Sequence, residues 1–450
     1  MANPNNADVL IVDRNPDGRG RGKIGNRVAL VPQAVPGDTV QIKVDKQTKN
    51  TVQGRIKRLV NASPDRVRSH CPHEFVCTGC VLLGTSEQDE LAYKKERVSA
   101  YLKNSSTAGP LESDLHVERA GDSLGYRYFA KQVFSMQKGR PVLGAYVAAT
   151  HEVADNNGCP VLAPCLNAAI DVVIDEVSSR KMRLHWKDEK GLRYLTVRGS
   201  RASEKTLITF VSSRALVDEW LAELTEVAES VLSRVQGAAG VVAIENDDSG
   251  NVILKGEPTL LAGEEFIEET ICGFNHEIGA QSFFQINPQT AALMFDRALA
   301  FAGEGDVCLE LFSGVGAMTL PLTQQFKKVI AVEINQESTQ ALERSRSQVP
   351  EATLEVLTGD AYELGAGLVA QDGVKVVVAD PPRRGLGAEL VKAIAASQAE
   401  RLVLLSCQPS VLEHDLPLLE AAGFKLEELS VIDQFPGTVH VEAVALLVRS

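Results

Sequence analysis

The sequence predicts an α/β protein in three parts: a small β-barrel, a mixed α+β centre, and a doubly wound parallel sheet at the C-terminus. Three observations carry this. From residue 281 onward, short apolar runs alternate with helical stretches, the pattern of parallel strands joined by crossover helices. Residues 8–60 instead show brief alternating runs at roughly ten-residue spacing, broken by turn residues, which suits a barrel. Finally, three of the C-terminal runs end in a thiol, a carboxylate and a glycine turn, where open α/β sheets hold their ligands.

At 450 residues the chain has room for about three domains, expected at 1–62, 63–270 and 271–450. A hydrophobic fraction of 44% and a charged fraction of 23% describe an ordinary soluble globular protein. No apolar run reaches the roughly 18 residues of a membrane span. The first residues have neither the basic start nor the apolar core of a signal peptide. Eight cysteines without secretory features imply reduced thiols in the cytoplasm, where clustered cysteines serve metal binding or catalysis. The net charge of −13 alone disfavours a polyanion partner. Residues 1–70, however, hold 13 Lys/Arg against 6 Asp/Glu, so a basic module stands on an acidic chain and is suited to nucleic acid. The plainer alternative is a solvated charged face.

Within the barrel segment, strands are expected at 9–12, 28–31, 40–44 and 52–59, the last carrying Arg55, Lys57 and Arg58. Residues 18–23 read as a glycine-rich basic loop, where glycines let the backbone approach a phosphate that Arg19, Arg21 and Lys23 neutralise. Next come Cys71, Cys77 and Cys80, spaced Cys-x5-Cys-x2-Cys. Three thiols so close in a reducing compartment point to a metal centre. A fourth ligand is still needed: Cys159 and Cys165 are candidates, with His70 and His73 as alternatives. Spacing alone fits zinc and an iron–sulfur cluster equally.

Residues 81–105 have helical spacing, and 124–260 mix strands and helices. Tyr126, Arg127, Tyr128 and Phe129 could stack on a base; a packed structural role explains them as well. Beyond 281, a helix begins near Gln289, and strands are expected at 307–312, 328–333, 354–357, 374–380, 401–406 and 439–448.

The strand ends carry the chemistry. Gly314 and Gly316 form a turn between strand and helix, with backbone N–H groups aimed at a ligand. Thr319 holds the third glycine position of a dinucleotide fingerprint, which disfavours NAD(P) and an oxidoreductase. Glu333 ends the next strand and is placed for ribose hydroxyls, and Asp360 ends the following one and can meet an adenine amino group. A nucleoside without a pyrophosphate clamp points to S-adenosylmethionine. Asp380 opens Asp-Pro-Pro-Arg after a buried strand, and Cys407 sits where the run 402–405 stops. A lone cysteine is usually a small buried hydrophobe; among these neighbours a nucleophile is the better reading.

These residues match a known pattern. Phe-Phe-Gln-Ile-Asn at 283–287, Leu-Phe-Ser-Gly-Val-Gly at 311–316, Asp-Pro-Pro-Arg at 380–383 and Ser-Cys-x-Pro at 406–409 occur in the order found in the RNA uracil-5-methyltransferases. The chain resembles that family over nearly its whole length, in particular the iron–sulfur branch that makes 5-methyluridine in 23S ribosomal RNA. The resemblance implies a TRAM (OB-like) RNA-binding barrel and a Rossmann-like class I methyltransferase domain. It implies a [4Fe–4S] cluster on Cys71, Cys77, Cys80 and Cys159, which favours Cys159 over Cys165. It also implies cofactor contacts from Gln285, Phe312, Glu333, Asp360 and Asp380, with Asp380 near the uracil, Cys407 as nucleophile and Glu442 as general base. Gln408 and Ala317 depart from the asparagines often found at those positions and alter local hydrogen bonds.

The implied chemistry suits the residues. Uracil C5 is a poor nucleophile until a group adds at C6, and a thiolate is the side chain best able to add. A base must then remove the C5 proton so that the thiol can leave, and the target base must be flipped out or single-stranded. RNA is the only partner implied, ribosomal or else transfer RNA at a T-loop uridine, with no membrane and no protein partner. A non-catalytic RNA-binding protein of this fold would be expected to have lost Cys407, Asp380 or Glu442, and all three are present.

Overall fold

The computed structural model describes residues 7–109, 111, 115–185, 189–250 and 252–449. Strands Asp8–Arg14, Gly20–Ile24, Arg27–Val31, Thr39–Gln47 and Thr51–Asn61 close into a barrel, with the fifth strand inserted between the third and fourth. Alternation turns Val9, Ile11, Ala29, Val40 and Ile42 into a fully buried core. One expectation is corrected here. Most of residues 18–23 is a strand, since Gly20–Ile24 pairs with strands on both sides. A side chain at Gly20 would collide with Ala34 and Ile11 inside the barrel. That glycine serves close packing within the sheet rather than approach to a phosphate.

A seven-stranded central sheet follows, in the order Pro258–Gly263, Ala238–Glu245, Thr206–Ser212, Leu192–Gly199, Phe129–Gln137, Arg140–Tyr146, Val153–Asp155. Helices Pro164–Ser179 and Asp218–Arg234 bury Leu166, Val173, Trp220 and Leu224 against it. Leu207, Val242 and Ile244 of the same sheet join the core beneath the C-terminal domain instead. Tyr126 is buried with its hydroxyl donating to the Pro436 carbonyl at 3.1 Å, so its role is packing, not stacking on a base.

The C-terminal sheet has eight strands, ordered Thr353–Thr358, Phe326–Glu333, Gly305–Leu311, Val374–Ala379, Arg401–Ser406, Glu442–Arg449, Phe424–Ile432, Val117–Glu118. The first five are parallel. The chain runs outward from Gly305–Leu311, then returns to its other side at Val374–Ala379, which creates the crevice where such sheets bind ligands. Glu442–Arg449 runs antiparallel to both neighbours. Strand Phe424–Ile432 was not anticipated, and Val117–Glu118 extends the sheet from the central part of the chain. Apolar clusters fill both faces of this sheet. The helix expected at 81–105 spans Glu87–Leu102, with Ser86 capping the Asp89 N–H. Asn287 caps Pro288–Ala302 in the same way. No helix among the described residues is long and apolar enough to cross a membrane.

Candidate active site

Parallel strands bring their carboxyl ends to one edge of the sheet. Glu333 is the last residue of its strand, and Asp380 and Cys407 are the first beyond theirs. The antiparallel strand reaches the same edge with its amino end. Ala443 pairs with Ser406, so Glu442 lies across from the turn that carries Cys407. Residues 35 positions apart in sequence thus meet through register alone.

Their electrostatics are tightly linked. Burial, followed by the carboxyl groups of Glu442 and Asp380, pushes the Cys407 thiol up to about 11, with Arg383 pulling the other way. Burial and then Asp380 hold Glu442 well above the usual carboxylate range, again opposed by Arg383. Burial pushes Asp380 up to about 7. The carboxyls of Glu442 and Asp380 thus oppose ionisation of the thiol, and Asp380 opposes that of Glu442. Arg383, which the sequence reading left without a role, is exposed and is the cation that lowers Cys407 and Glu442.

The cofactor side of the crevice is built around the glycine turn. Gly314 and Gly316 both have left-handed backbone, at φ +56° and +91°. Phe312 shares that conformation at φ +65°, a strain that concentrates at ligand sites. Its ring lies 5.0 Å from that of Tyr362. The Glu333 carboxylate accepts from the N–H groups of Gly314 (3.0 Å) and Asn335 (2.7 Å) and keeps lone pairs for a ligand. Asp360 caps helix Ala361–Val369 through the Tyr362 N–H at 2.8 Å, which leaves its second oxygen available. Gln285 accepts from the Gln434 amide at 2.7 Å, and its own NH2 remains free to donate.

Three further residues of this region escaped the sequence reading. Glu310 is 4% exposed, and burial pushes it up to about 8, opposed by Thr319 and helped by Asp380 and Glu333. Its Oε2 has no partner among the described residues. An acid inside the apolar run Leu309-Glu310-Leu311 was the available signal. Phe283 and Ile334, 64% and 65% exposed, are large apolar side chains left bare close to Gln285 and Glu333 in the chain. A solvated position next to a site is an unusual place for them.

The family model described as tRNA (Uracil-5-)-methyltransferase matches residues 165–354 and 367–450. The chain belongs to this family. A TRAM-domain model matches residues 6–57, so the closed five-stranded barrel of this uracil-5-methyltransferase is its TRAM domain. An uncharacterized RNA methyltransferase of Halalkalibacterium halodurans is 30% identical over 452 residues, covering 98% of this chain and 96% of that relative. One from Synechocystis is 29% identical over 449 residues, covering 98% and 95%. The crystal structure of Pyrococcus abyssi tRNA (uracil-54, C5)-methyltransferase in complex with S-adenosyl-L-homocysteine shares the fold. It matches with a TM-score of 0.75 and 24% identity, over 98% of this chain and 100% of that one.

Outside the active site, this uracil-5-methyltransferase gathers four thiols. Burial raises Cys71, and the nearby Cys159 and Cys77 raise it further. Burial, then Cys159 and Cys77, pushes Cys80 up to about 12. Cys165 is raised by burial and senses Glu204 rather than any of these thiols. His73 is engaged with the Asn157 carbonyl at 2.7 Å. Among the described residues, no group of three or more His, Cys, Asp or Glu side chains is placed to hold a metal ion.

Proposed function

We propose that this enzyme transfers the methyl group of S-adenosylmethionine to C5 of one uridine in structured RNA, with 23S ribosomal RNA as the substrate. The observation that carries the reading is the meeting of Cys407, Asp380 and Glu442 at the edge of the sheet. The Cys407 sulfur adds to uracil C6, and C5 becomes nucleophilic. At about 11 the thiol is protonated at neutral pH, so its proton must leave as it adds; Asp380, poised near 7, is suited to take it. With the thiol proton on Asp380, the charge that opposed ionisation of Glu442 is gone. After methyl transfer Glu442, once ionised, removes the C5 proton, the C5–C6 double bond re-forms, and the sulfur departs. S-adenosylmethionine supplies the electrophilic methyl on its sulfonium. Glu333 suits its ribose hydroxyls, the second oxygen of Asp360 its adenine amino group, and the Oε2 of Glu310 its ammonium. Phe312 and Gln285 line the same crevice in this reading.

The domains follow as an RNA-binding barrel (1–62), a cysteine-bearing centre (63–270) and the methyltransferase domain (271–450). The basic barrel would contact phosphates without choosing the uridine. A T-loop uridine of transfer RNA is the second reading, favoured by the fold shared with the Pyrococcus enzyme. Purified protein would be incubated with S-adenosylmethionine and transcripts of each RNA, and nuclease fragments examined by mass spectrometry. We expect 5-methyluridine at one position of the 23S transcript. Methylation of the tRNA alone would move the assignment, and methylation of neither would reject it.

The four gathered thiols support a [4Fe–4S] cluster on Cys71, Cys77, Cys80 and Cys159. Protein purified without oxygen is expected to hold about four irons per chain. Cys159→Ser should lose most of that iron, and Cys165→Ser should keep it. One zinc with no iron would assign the site to zinc, and the reverse ranking would exchange the fourth ligand.

A further inference from the structure

Away from the reacting groups, four charged side chains are buried together: Glu90 and Lys94 on helix Glu87–Leu102, Arg119, and Asp433. Lys94 and Asp433 are both 0% exposed. The Lys94 ammonium lies 2.5 Å from Glu90 and 2.7 Å from Asp433, and Arg119 donates to Asp433 at 2.8 Å. Two cations and two anions make the set neutral. A buried ion cluster is weak evidence for stability, because apolar side chains of the same shape often serve as well or better. Its retention calls for a reason of placement.

What it places is the segment 433–441, which joins strand Phe424–Ile432 to the strand that begins with Glu442. Asp433 is the first residue of that segment. Its backbone is tied at several further points to side chains from residues 90–126. Lys94 donates to the Phe435 carbonyl at 3.4 Å, Glu90 accepts from the Gly437 N–H at 2.8 Å, Tyr126 donates to the Pro436 carbonyl, and Arg97 donates to the Val439 carbonyl. With Pro436 and a left-handed Gly437 at φ +78°, this stretch cannot be ordinary strand and has no ladder to fix it.

We infer that Glu90, Lys94, Arg119 and Asp433 are positioning residues that hold segment 433–441 so that the Glu442 carboxylate meets the C5 proton. The inference rests on the reading of Glu442 as the base. Cys407 follows a strand paired on both sides, and none of these ties reaches it. Glu442, though its backbone pairs with Ile432, is joined directly to the tied segment, which sets how that strand end is approached. Loosening the segment should therefore spare addition and methyl transfer and slow only the final elimination.

The test uses the full-length protein with substrate RNA and methyl-labelled S-adenosylmethionine. Lys94→Met should slow elimination about a hundredfold, the cost of misplacing a reacting group by about 1 Å. Labelled covalent protein–RNA complex should accumulate, with the Kd for RNA within about twofold of the natural protein. Arg97→Met cuts the tie at Val439 from a half-buried position and should show the same signature more weakly, with Arg97→Lys restoring turnover. A merely structural role would lower every step together and trap nothing. If Lys94→Met does not fold, Arg97→Met decides. A trapped complex with Glu442→Gln but with neither of these variants would overturn the positioning role alone. Absence of a trapped complex with Glu442→Gln would overturn the base assignment, and this inference with it.

Discussion

Cys407→Ala should abolish methyl transfer, by about four orders of magnitude or more, and should form no covalent complex with RNA. Among the described residues, the charged groups that act on the thiol are two carboxyls and a guanidinium, and a thiol adds to C6 far more readily than a carboxyl does. The pH dependence supports the same assignment. Unaided, Cys407 loses its proton only near 11, whereas Asp380 becomes able to take it near 7, as the sulfur adds. In that mechanism the ionisation of Asp380 converts the inactive form into the active one, so kcat/KM should climb from pH 6 through about pH 7 and level off by about pH 9. A plateau from pH 6 onward would mean that the reacting thiol is already ionised in the free enzyme. A covalent complex with Cys407→Ala would remove Cys407 as the nucleophile.

Topology explains why so much of this site could be read from the chain. Parallel strands must end together, so Glu333, Asp380, Cys407 and the glycine turn at 314–316 were bound to share an edge once the alternation was recognised. What could not be read depends on distant partners or on burial. Asp433 and Lys94 are 339 positions apart, and neither looks unusual in its own stretch. Glu310 is marked in the sequence only as an acid within an apolar run; that one of its buried oxygens lacks a partner depends on packing and is not visible there. Strand Phe424–Ile432 carries Lys425, Glu427 and Glu428, and a bulge between Leu426 and Glu428 breaks the alternation that would have marked it. Gly20 stood between arginines and suggested a phosphate loop, whereas the reason for it lies across the barrel at Ala34 and Ile11.

Glu442→Gln should fail at a different moment from Cys407→Ala. The thiol still adds and the methyl still arrives at C5, but no group takes the C5 proton, so the sulfur cannot leave. The enzyme should accumulate as a covalent complex with methylated RNA, one labelled methyl per protein, visible as a slow band in a denaturing gel. Misfolding can be separated from this effect by the sign of the Glu442 shift. Its folded pKa lies above the unfolded value, so its contribution to stability is fully present below about 4.5 and is lost as pH rises through the folded pKa. Glutamine cannot ionise and does not incur that loss. The variant should therefore unfold at the same temperature as the natural protein or higher at pH 8, with the difference closing towards pH 4. Normal turnover without a trapped complex would show that another group takes the proton; a variant that melts far earlier at pH 8 would show that the Glu442 carboxyl holds the fold instead.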